Sequence, residues 1–471
     1  MSKETIPAFG NAARAAVELM SNYLDAPGTG EVYRPVPESV RQQLTNLPLP
    51  TLPTELDSLL QEIARDVLPY PMGNGHPNFF GWVNSPALPA SVVAALVAAA
   101  INPSVAGGDH AAVWIEHATL GWMKEILGLE AGFGSVMTSG GSSANLIGLS
   151  TGRNEVLRRV GWDARVDGLA GAPRTHVYMT DEAHSSLTKA VHLLGLGERS
   201  IRRVPLDDQQ RMNPEALASM IAIDQPDAGI VCASAGTVNS GAIDPLASIV
   251  EVAHDAGLWL HVDGAYGAVG RMVNDLADRF IGMERADSIS ADPHKWLYIA
   301  IDCACVFVRD AEALQRTFSH VPPYLRDGSA IRPWFSEFTF EQTRPFRALK
   351  LWLALRERGM DWYRTSLSRD VELARNLEQA IKTADDFEMV APVDLSIVAF
   401  RAVPGSLGDD VAEVDALNRE LPEQIQRDGR VFLTGSTMNE RPILRACFVN
   451  YRTDDAAPEM ILEVIRDIVS R

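Results

Sequence analysis

Cysteine is scarce, with four in 471 residues, which is too few for a disulfide framework. Cys303 and Cys305 alternate along an apolar run, as two side chains on one face of a strand do, and that spacing suits a structural role. Long apolar stretches are missing as well. The longest, Ala90–Ile101, falls short of the roughly 20 residues a membrane helix needs. Pro86, Pro89 and Pro103 flank it, and it reads as a buried helix. Positive charge is in deficit: 42 Lys and Arg stand against 61 Asp and Glu, for a net charge of -19. That balance opposes broad attraction to nucleic acid phosphates or an anionic membrane surface. The segment Met1–Leu19 interrupts its apolar residues with polar ones, unlike a secretory signal, so cytoplasm is the expected location. The ten histidines show no H-E-x-x-H spacing, and no metal is expected. Internal repeats and low-complexity tracts are absent too.

What is present is the composition of a globular enzyme, 46% hydrophobic and 22% charged, in a chain long enough for a large domain with smaller attachments. Residues 1–75 mix helical stretches with the proline-rich connection Leu47–Pro53 and read as a helical arm. Over 76–345, β-rich apolar runs alternate with helical ones. His176–Met179, Gly229–Ala233, Leu258–Val262 and Cys303–Val308 are strand candidates. Such alternation predicts an α/β fold with a mostly parallel sheet covered by helices. Residues 346–471, which open on an amphipathic helix ending at Gly359, predict a small C-terminal α+β domain.

Three stretches carry chemistry. Thr138-Ser-Gly-Gly-Ser-Ser-Ala-Asn145 precedes a helical pattern. Gly140 and Gly141 let backbone approach an anion, Ser142 and Ser143 add hydroxyls, and the helix aims its first N–H groups at the same point. Alone, the stretch also fits an ordinary helix cap. It matches neither a Walker loop nor a dinucleotide fingerprint. In Leu258-Trp-Leu-His-Val-Asp-Gly-Ala-Tyr266 an apolar run ends in Asp263, where an open parallel sheet places its ligands, although a cap or loop residue also fits. In Ala291-Asp-Pro-His-Lys-Trp296 a lysine follows a proline-fixed turn and precedes Trp296, Leu297 and Tyr298, an unusual setting for a surface charge. Together they offer a phosphate cradle, a carboxylate for a pyridinium nitrogen and an amine for an aldehyde, which are the needs of one cofactor.

At these motifs the chain resembles the group II pyridoxal 5′-phosphate (PLP)-dependent amino acid decarboxylases, of the aromatic L-amino acid decarboxylase kind. The resemblance runs from His76-Pro-Asn-Phe-Phe-Gly-Trp82 to Arg347-Ala-Leu-Lys-Leu-Trp352 and is strongest at Asp292–Trp296, where the family usually carries asparagine in place of Asp292. It implies PLP fold type I, with a mostly parallel seven-stranded sheet and helices on both faces, in a homodimer with shared active sites. By the same resemblance Lys295 is the Schiff-base lysine and Asp263 pairs with the pyridine nitrogen. His184, in Asp181-Glu-Ala-His-Ser-Ser186, stacks on the cofactor and orients the substrate carboxylate. Ala265 leaves room beneath the ring, and Gly141, Ser142, Thr237 and His294 hold the phosphate or flank the cofactor.

Family decarboxylases carry a tyrosine in a loop beyond the lysine, and Val321-Pro-Pro-Tyr-Leu-Arg326 supplies Tyr324. Its phenol is the expected acid that protonates the quinonoid carbanion once carbon dioxide has left. Related aldehyde synthases replace that tyrosine or the stacking histidine and use oxygen instead. Trp82, Val83 and Ser85, with Pro103 and Val105 from a partner chain, are the expected walls of the substrate pocket, and they suit an apolar or aromatic side chain. Arg344 and Arg347 are candidates for structural or carboxylate contacts, without a choice between them. The rivals are an oxygen-using aldehyde synthase, a decarboxylase of an acidic or aliphatic amino acid, a silent PLP-fold binding protein, and a hydrolase built on Ser142 or Ser143 with His184.

Overall fold

A computed structural model describes residues 6–26, 28–320, 334–408 and 410–471. Seven strands form the main sheet: β1 (Gly134–Thr138), β2 (Thr175–Met179), β3 (Ile201–Arg203), β4 (Ala228–Ser234), β5 (Trp259–Asp263), β6 (Ser288–Ala291) and β7 (Ala304–Val308). Their order is β1-β7-β6-β5-β4-β2-β3, and β7 alone runs antiparallel to its neighbours. Every residue of β1, β2, β4, β5, β6 and β7 is buried. A parallel sheet covered on both faces requires that, and it is why β4 and β7 read as near-continuous apolar runs rather than alternating ones. Cys303 precedes β7 and Cys305 lies in it; both are buried free thiols.

Helix Gly141–Arg159 lies across β4, β5, β6 and β7. Two glycines let it come close. A Cβ on Gly148 would stand 2.7 Å from the His261 Nδ1, and one on Gly152 would stand 2.7 Å from the Trp259 Cδ1. Each mid-helix glycine costs about 1 kcal/mol in helix propensity, and here it permits direct contact with β5. The consequence is positional: the start of the helix is fixed over the carboxyl ends of β5 and β6.

A second sheet, β10-β11-β9-β8, is antiparallel throughout and is built from β8 (Phe387–Met389), β9 (Ile397–Ala402), β10 (Thr434–Met438) and β11 (Arg441–Cys447). Its apolar cluster takes Leu373, Leu377 and Ile381 from helix Met360–Thr383, and Leu421, Ile461 and Ile465 from later helices. Helix Ala348–Arg358 instead packs against Pro89–Ile101 and Ala111–Leu127, on the side of the large sheet.

The Ala90–Ile101 run does form a helix, Pro89–Ile101, but the expectation that it is buried needs correction. Within one chain only Ser91 and Ala94 are buried, whereas Val93, Leu96, Val97 and Ile101 are exposed. Among the described residues no helix is long and apolar enough to cross a membrane.

Candidate active site

The carboxyl ends of β4, β5 and β6 open on a cavity of about 220 Å³ lined by Trp82, Val83, His184, Thr237, Asp263, Ala265 and Lys295, with Arg445 reaching in from β11. Residues from six separate segments of the sequence therefore meet at one edge of the main sheet, the usual ligand position of an open α/β sheet.

Asp263 ends β5 and is fully bonded. Its Oδ1 accepts from the Ala265 N–H at 3.1 Å and the Ser290 hydroxyl at 3.2 Å, and its Oδ2 accepts from Asn145 Nδ2 at 2.9 Å. Burial alone would raise this carboxyl, but Lys295 and His184 outweigh it and hold the group below the usual carboxylate range. Asn145 also donates from Nδ2 to the Ser186 hydroxyl oxygen at 2.9 Å and accepts on Oδ1 from His261 Nε2 at 3.0 Å. Burial brings His261 down to about 4, so its ring is neutral. Nε2–H then donates to Asn145, and Nδ1 takes the Ser288 hydroxyl proton at 2.8 Å. The Trp259 indole N–H closes the relay on Ser288 at 2.9 Å.

His184 caps helix Ser185–Leu193. Its Nδ1 accepts the Ser186 N–H at 3.2 Å and lies 2.7 Å from the Ser186 hydroxyl, so the neutral ring carries its proton on Nε2. The side chain keeps exposed area, yet desolvation is the largest influence on it; with Lys295 it outweighs Asp263 and Asp292 and lowers the ring below the ordinary histidine range. Neither Ser142, which is exposed, nor Ser143, whose hydroxyl lies 3.0 Å from that of Ser139, takes the place of Ser186. The Ser142 or Ser143 hydrolase thus lacks a bonded serine–histidine pair.

Lys295 sits in the turn Pro293–Trp296, its Nζ 3.3 Å from Asp292 Oδ2. The flanking aromatics are anchored: the Trp296 indole N–H and the Tyr298 hydroxyl both donate to Asp370 Oδ2, at 2.8 and 2.6 Å. Thr237 is buried behind Gly236 and accepts the Ala242 N–H at 3.1 Å. His294 places Nδ1 2.7 Å from the Cys303 carbonyl oxygen and Nε2 3.7 Å from Asp292 Oδ2. The Gly141 N–H donates to Asp292 Oδ2 at 3.0 Å. A Cβ on Gly141 would stand 2.8 Å from Asp292 Oδ2 and 3.0 Å from the Ala265 Cβ, so only glycine fits between helix start and cavity floor.

The other expected residues fall elsewhere. The Ser85 hydroxyl donates to the His294 carbonyl at 3.3 Å, behind the cavity wall. Pro103 lines a separate surface pocket, and Val105 has no exposed area in the single chain. Tyr324 lies outside the described residues. Arg344 is structural: fully buried, it donates to Glu116 at 2.6 Å and to the carbonyls of Val105 and Met137. Arg347 is likewise occupied, by Asp302 and Glu341. The arginine that does reach the cavity, Arg445, had no motif to reveal it. Its one signal is a cation inside the apolar strand Ile443-Leu-Arg-Ala-Cys447. It is 4% exposed, and its Nε has no hydrogen-bond partner among the described residues. Asn145 was visible only as the end of the cradle stretch.

Such a site can hold an anion at a helix start, keep a buried carboxylate ionised and offer an amine to an electrophile. The comparisons agree. Residues 37–403 match the family model described as the pyridoxal-dependent decarboxylase conserved domain, and the chain belongs to that family. It is 30% identical to the aromatic-L-amino-acid decarboxylase of Bacillus atrophaeus, covering 96% of this chain and 93% of that one. It is 28% identical to the phenylacetaldehyde synthase of Arabidopsis thaliana, covering 89% and 87%. A crystal structure of Oryza sativa TDC with PLP and tryptamine superposes with a TM-score of 0.92 at 27% identity, covering 100% of this chain and 99% of that one. The protein is a PLP-dependent amino acid decarboxylase of fold type I. The residues present fit the cofactor: an ionised buried Asp263, the Gly141 cradle that a Cβ would fill, and the Lys295 amine in the same cavity.

Proposed function

We propose that the chain converts an aromatic L-amino acid to its amine and carbon dioxide. The observation that carries the reading is the shared cavity, in which Lys295, Asp263 and His184 face Trp82, Val83 and a buried arginine, Arg445. Bound PLP supplies an aldehyde and a ring that takes up the electron pair left on the α-carbon when carbon dioxide departs. Lys295 is the amine that anchors the cofactor. Asp263, held ionised, keeps a proton on the pyridine nitrogen. His184 presents Nε2–H toward the cavity from a ring fixed by Ser186, and Arg445 is the group available for the substrate carboxylate. Gly141, Ser142, Thr237 and His294 surround the phosphate end. Trp82 and Val83 offer apolar area without a counter-charge, which favours an aromatic over an acidic side chain. Tyr324 is the proton donor in this reading.

A homodimer sharing its sites belongs to the same proposal. Leu49, Leu52, Val93, Leu96 and Ile101 are exposed apolar residues of the arm (1–75) and the adjoining helix, more than a lone soluble chain ordinarily leaves open. Pro103, which keeps exposed area beside that helix, is the wall residue a second chain could share. The proposed organisation is the arm, a PLP-binding domain (76–345) and a small C-terminal domain (346–471). Four buried free cysteines support a reducing compartment, the cytoplasm.

The test is mass spectrometry of products after the PLP-loaded protein meets a mixture of L-amino acids in air. Gain of one aromatic amine is expected; an acidic or aliphatic amine, or aldehyde with peroxide, overturns the reading. Tyr324→Phe should shift product toward aldehyde with oxygen uptake, and amine formation at the parent rate would remove the tyrosine's role. Light scattering should return the mass of a dimer, and a monomer would remove the shared site.

A further inference from the structure

Asp292 is 2% exposed, and the hydrogen bond from its own N–H to the Ala265 carbonyl at 3.1 Å fixes its backbone. Its Oδ2 is occupied, accepting the Gly141 N–H at 3.0 Å with Lys295 Nζ at 3.3 Å. Its Oδ1 is buried with no partner among the described residues. An unsatisfied buried acceptor costs about 1–3 kcal/mol, so the free oxygen is a position that a ligand could complete. Gly141 opens a helix of 19 residues whose N-cap, Gly140, makes no side-chain cap. Its first N–H groups favour an anion. The protein has therefore placed a carboxylate of its own at the place where the cofactor's phosphate is read to bind.

The groups facing Asp292 do not offset a second anion. Lys295 and His294 come from its own turn, His184 from the start of helix Ser185–Leu193, and Cys303 and Cys305 from β7 and the residues before it. Burial disfavours the charged form of His184 and of His294, and it raises both thiols, which leaves Lys295 as the one cation in the set. A carboxylate and a phosphate dianion sharing such a space cannot both keep full charge, and a carboxylic acid can donate where a carboxylate only repels.

We infer that Asp292 takes up a proton on Oδ1 when a phosphate ester enters the Gly141 cradle and keeps it, hydrogen-bonding through it to a phosphate oxygen, so that cofactor capture consumes one proton at this residue. The proton comes from solvent and no other bond changes. The inference rests on the reading that the cradle holds the phosphate. The bound state carries a proton that the free state lacks, so affinity falls as pH rises, by up to about tenfold per pH unit.

The probe is pyridoxamine 5′-phosphate, which has no aldehyde and cannot react with Lys295. It is titrated calorimetrically into the full chain freed of cofactor, in buffers of different ionisation enthalpy near pH ~8, where the ligand phosphate is already a dianion. The expected result is about one proton more taken up by the parent than by Asp292→Asn, with a dissociation constant that climbs with pH in the parent and stays flatter in the variant. Equal proton uptake and parallel pH profiles overturn the inference while leaving the cradle in place. If the variant does not fold, pyridoxamine lacking the phosphate serves with the parent alone: it should bind without the extra proton, and equal uptake by both ligands overturns the inference. Failure of the phosphorylated probe to bind the parent removes the cradle reading, and the inference with it.

Discussion

Asp263 and Asp292 stand at the carboxyl ends of neighbouring strands, where Asp263 is paired in register with Ser290 and Asp292 follows one residue beyond β6. Asp263 has both oxygens satisfied by donors from three segments, and one of these donors, Asn145, is itself held by further hydrogen bonds. Asp292 has one oxygen satisfied and one without a partner among the described residues. A carboxylate that must stay ionised needs its acceptors filled before any ligand arrives, whereas one that is to meet an anion needs a free edge. The bonding pattern, rather than depth of burial, separates a preset group from a responsive one.

The comparison can be broken most directly at Asp263. Asp263→Ala removes the buried charge proposed to keep the cofactor nitrogen protonated and should lower kcat/KM by about 10³-fold. An effect of only a few-fold would make Asp263 as dispensable as an ordinary buried acid. Ser186→Ala leaves every cavity-lining residue in place and removes the bridge between Asn145 and His184. A loss of about tenfold is expected, the worth of one well-made hydrogen bond, with recovery in Ser186→Thr. An unchanged pH profile and rate would show that His184 needs no support.

The smallest effect is expected at a third buried carboxylate, Asp370, which bonds Trp296 and Tyr298 and does not line the cavity. Burial raises it to about 7 from 3.8, so the folded chain binds its proton more tightly than the unfolded one. Its contribution to stability is greatest at low pH and is lost as pH climbs toward 7, by roughly 1 kcal/mol per pH unit at most. In urea unfolding, the stability of the parent should therefore fall relative to Asp370→Asn between about pH 4 and pH 7 and run parallel to it outside that window. Parallel curves from acid to neutral pH would mean the proton is not held there.

Much of this site was legible in the sequence. Four strands of the main sheet were visible in the sequence because both faces of a parallel sheet are covered, which turns β4 and β7 into near-unbroken apolar runs. Lys295 and Asp263 were singled out from local motifs, and His184, Thr237 and Ala265 from the family resemblance; all five line one cavity. What stayed hidden depends on distance along the chain. Arg445 comes from a strand of the other sheet, Asn145 acts through two partners 41 and 118 residues away, and His261 looked like any residue of a buried strand. The exposed face of helix Pro89–Ile101 was equally unreadable, because composition reports apolarity and not what covers it.

Arg445 gives the pocket an order of assembly. The cradle, Asp263, His184 and Lys295 are all synthesised by residue 303, yet the cavity lacks a wall until β11 has left the ribosome and docked. Tyr266 ties the two halves together through the Ser396 hydroxyl at 2.6 Å, another contact the earlier segment has to wait for. A nascent chain therefore carries the Asp263, His184 and Lys295 side of the cavity before the Arg445 side exists, and the pocket is complete only once the last third of the chain has been made and docked.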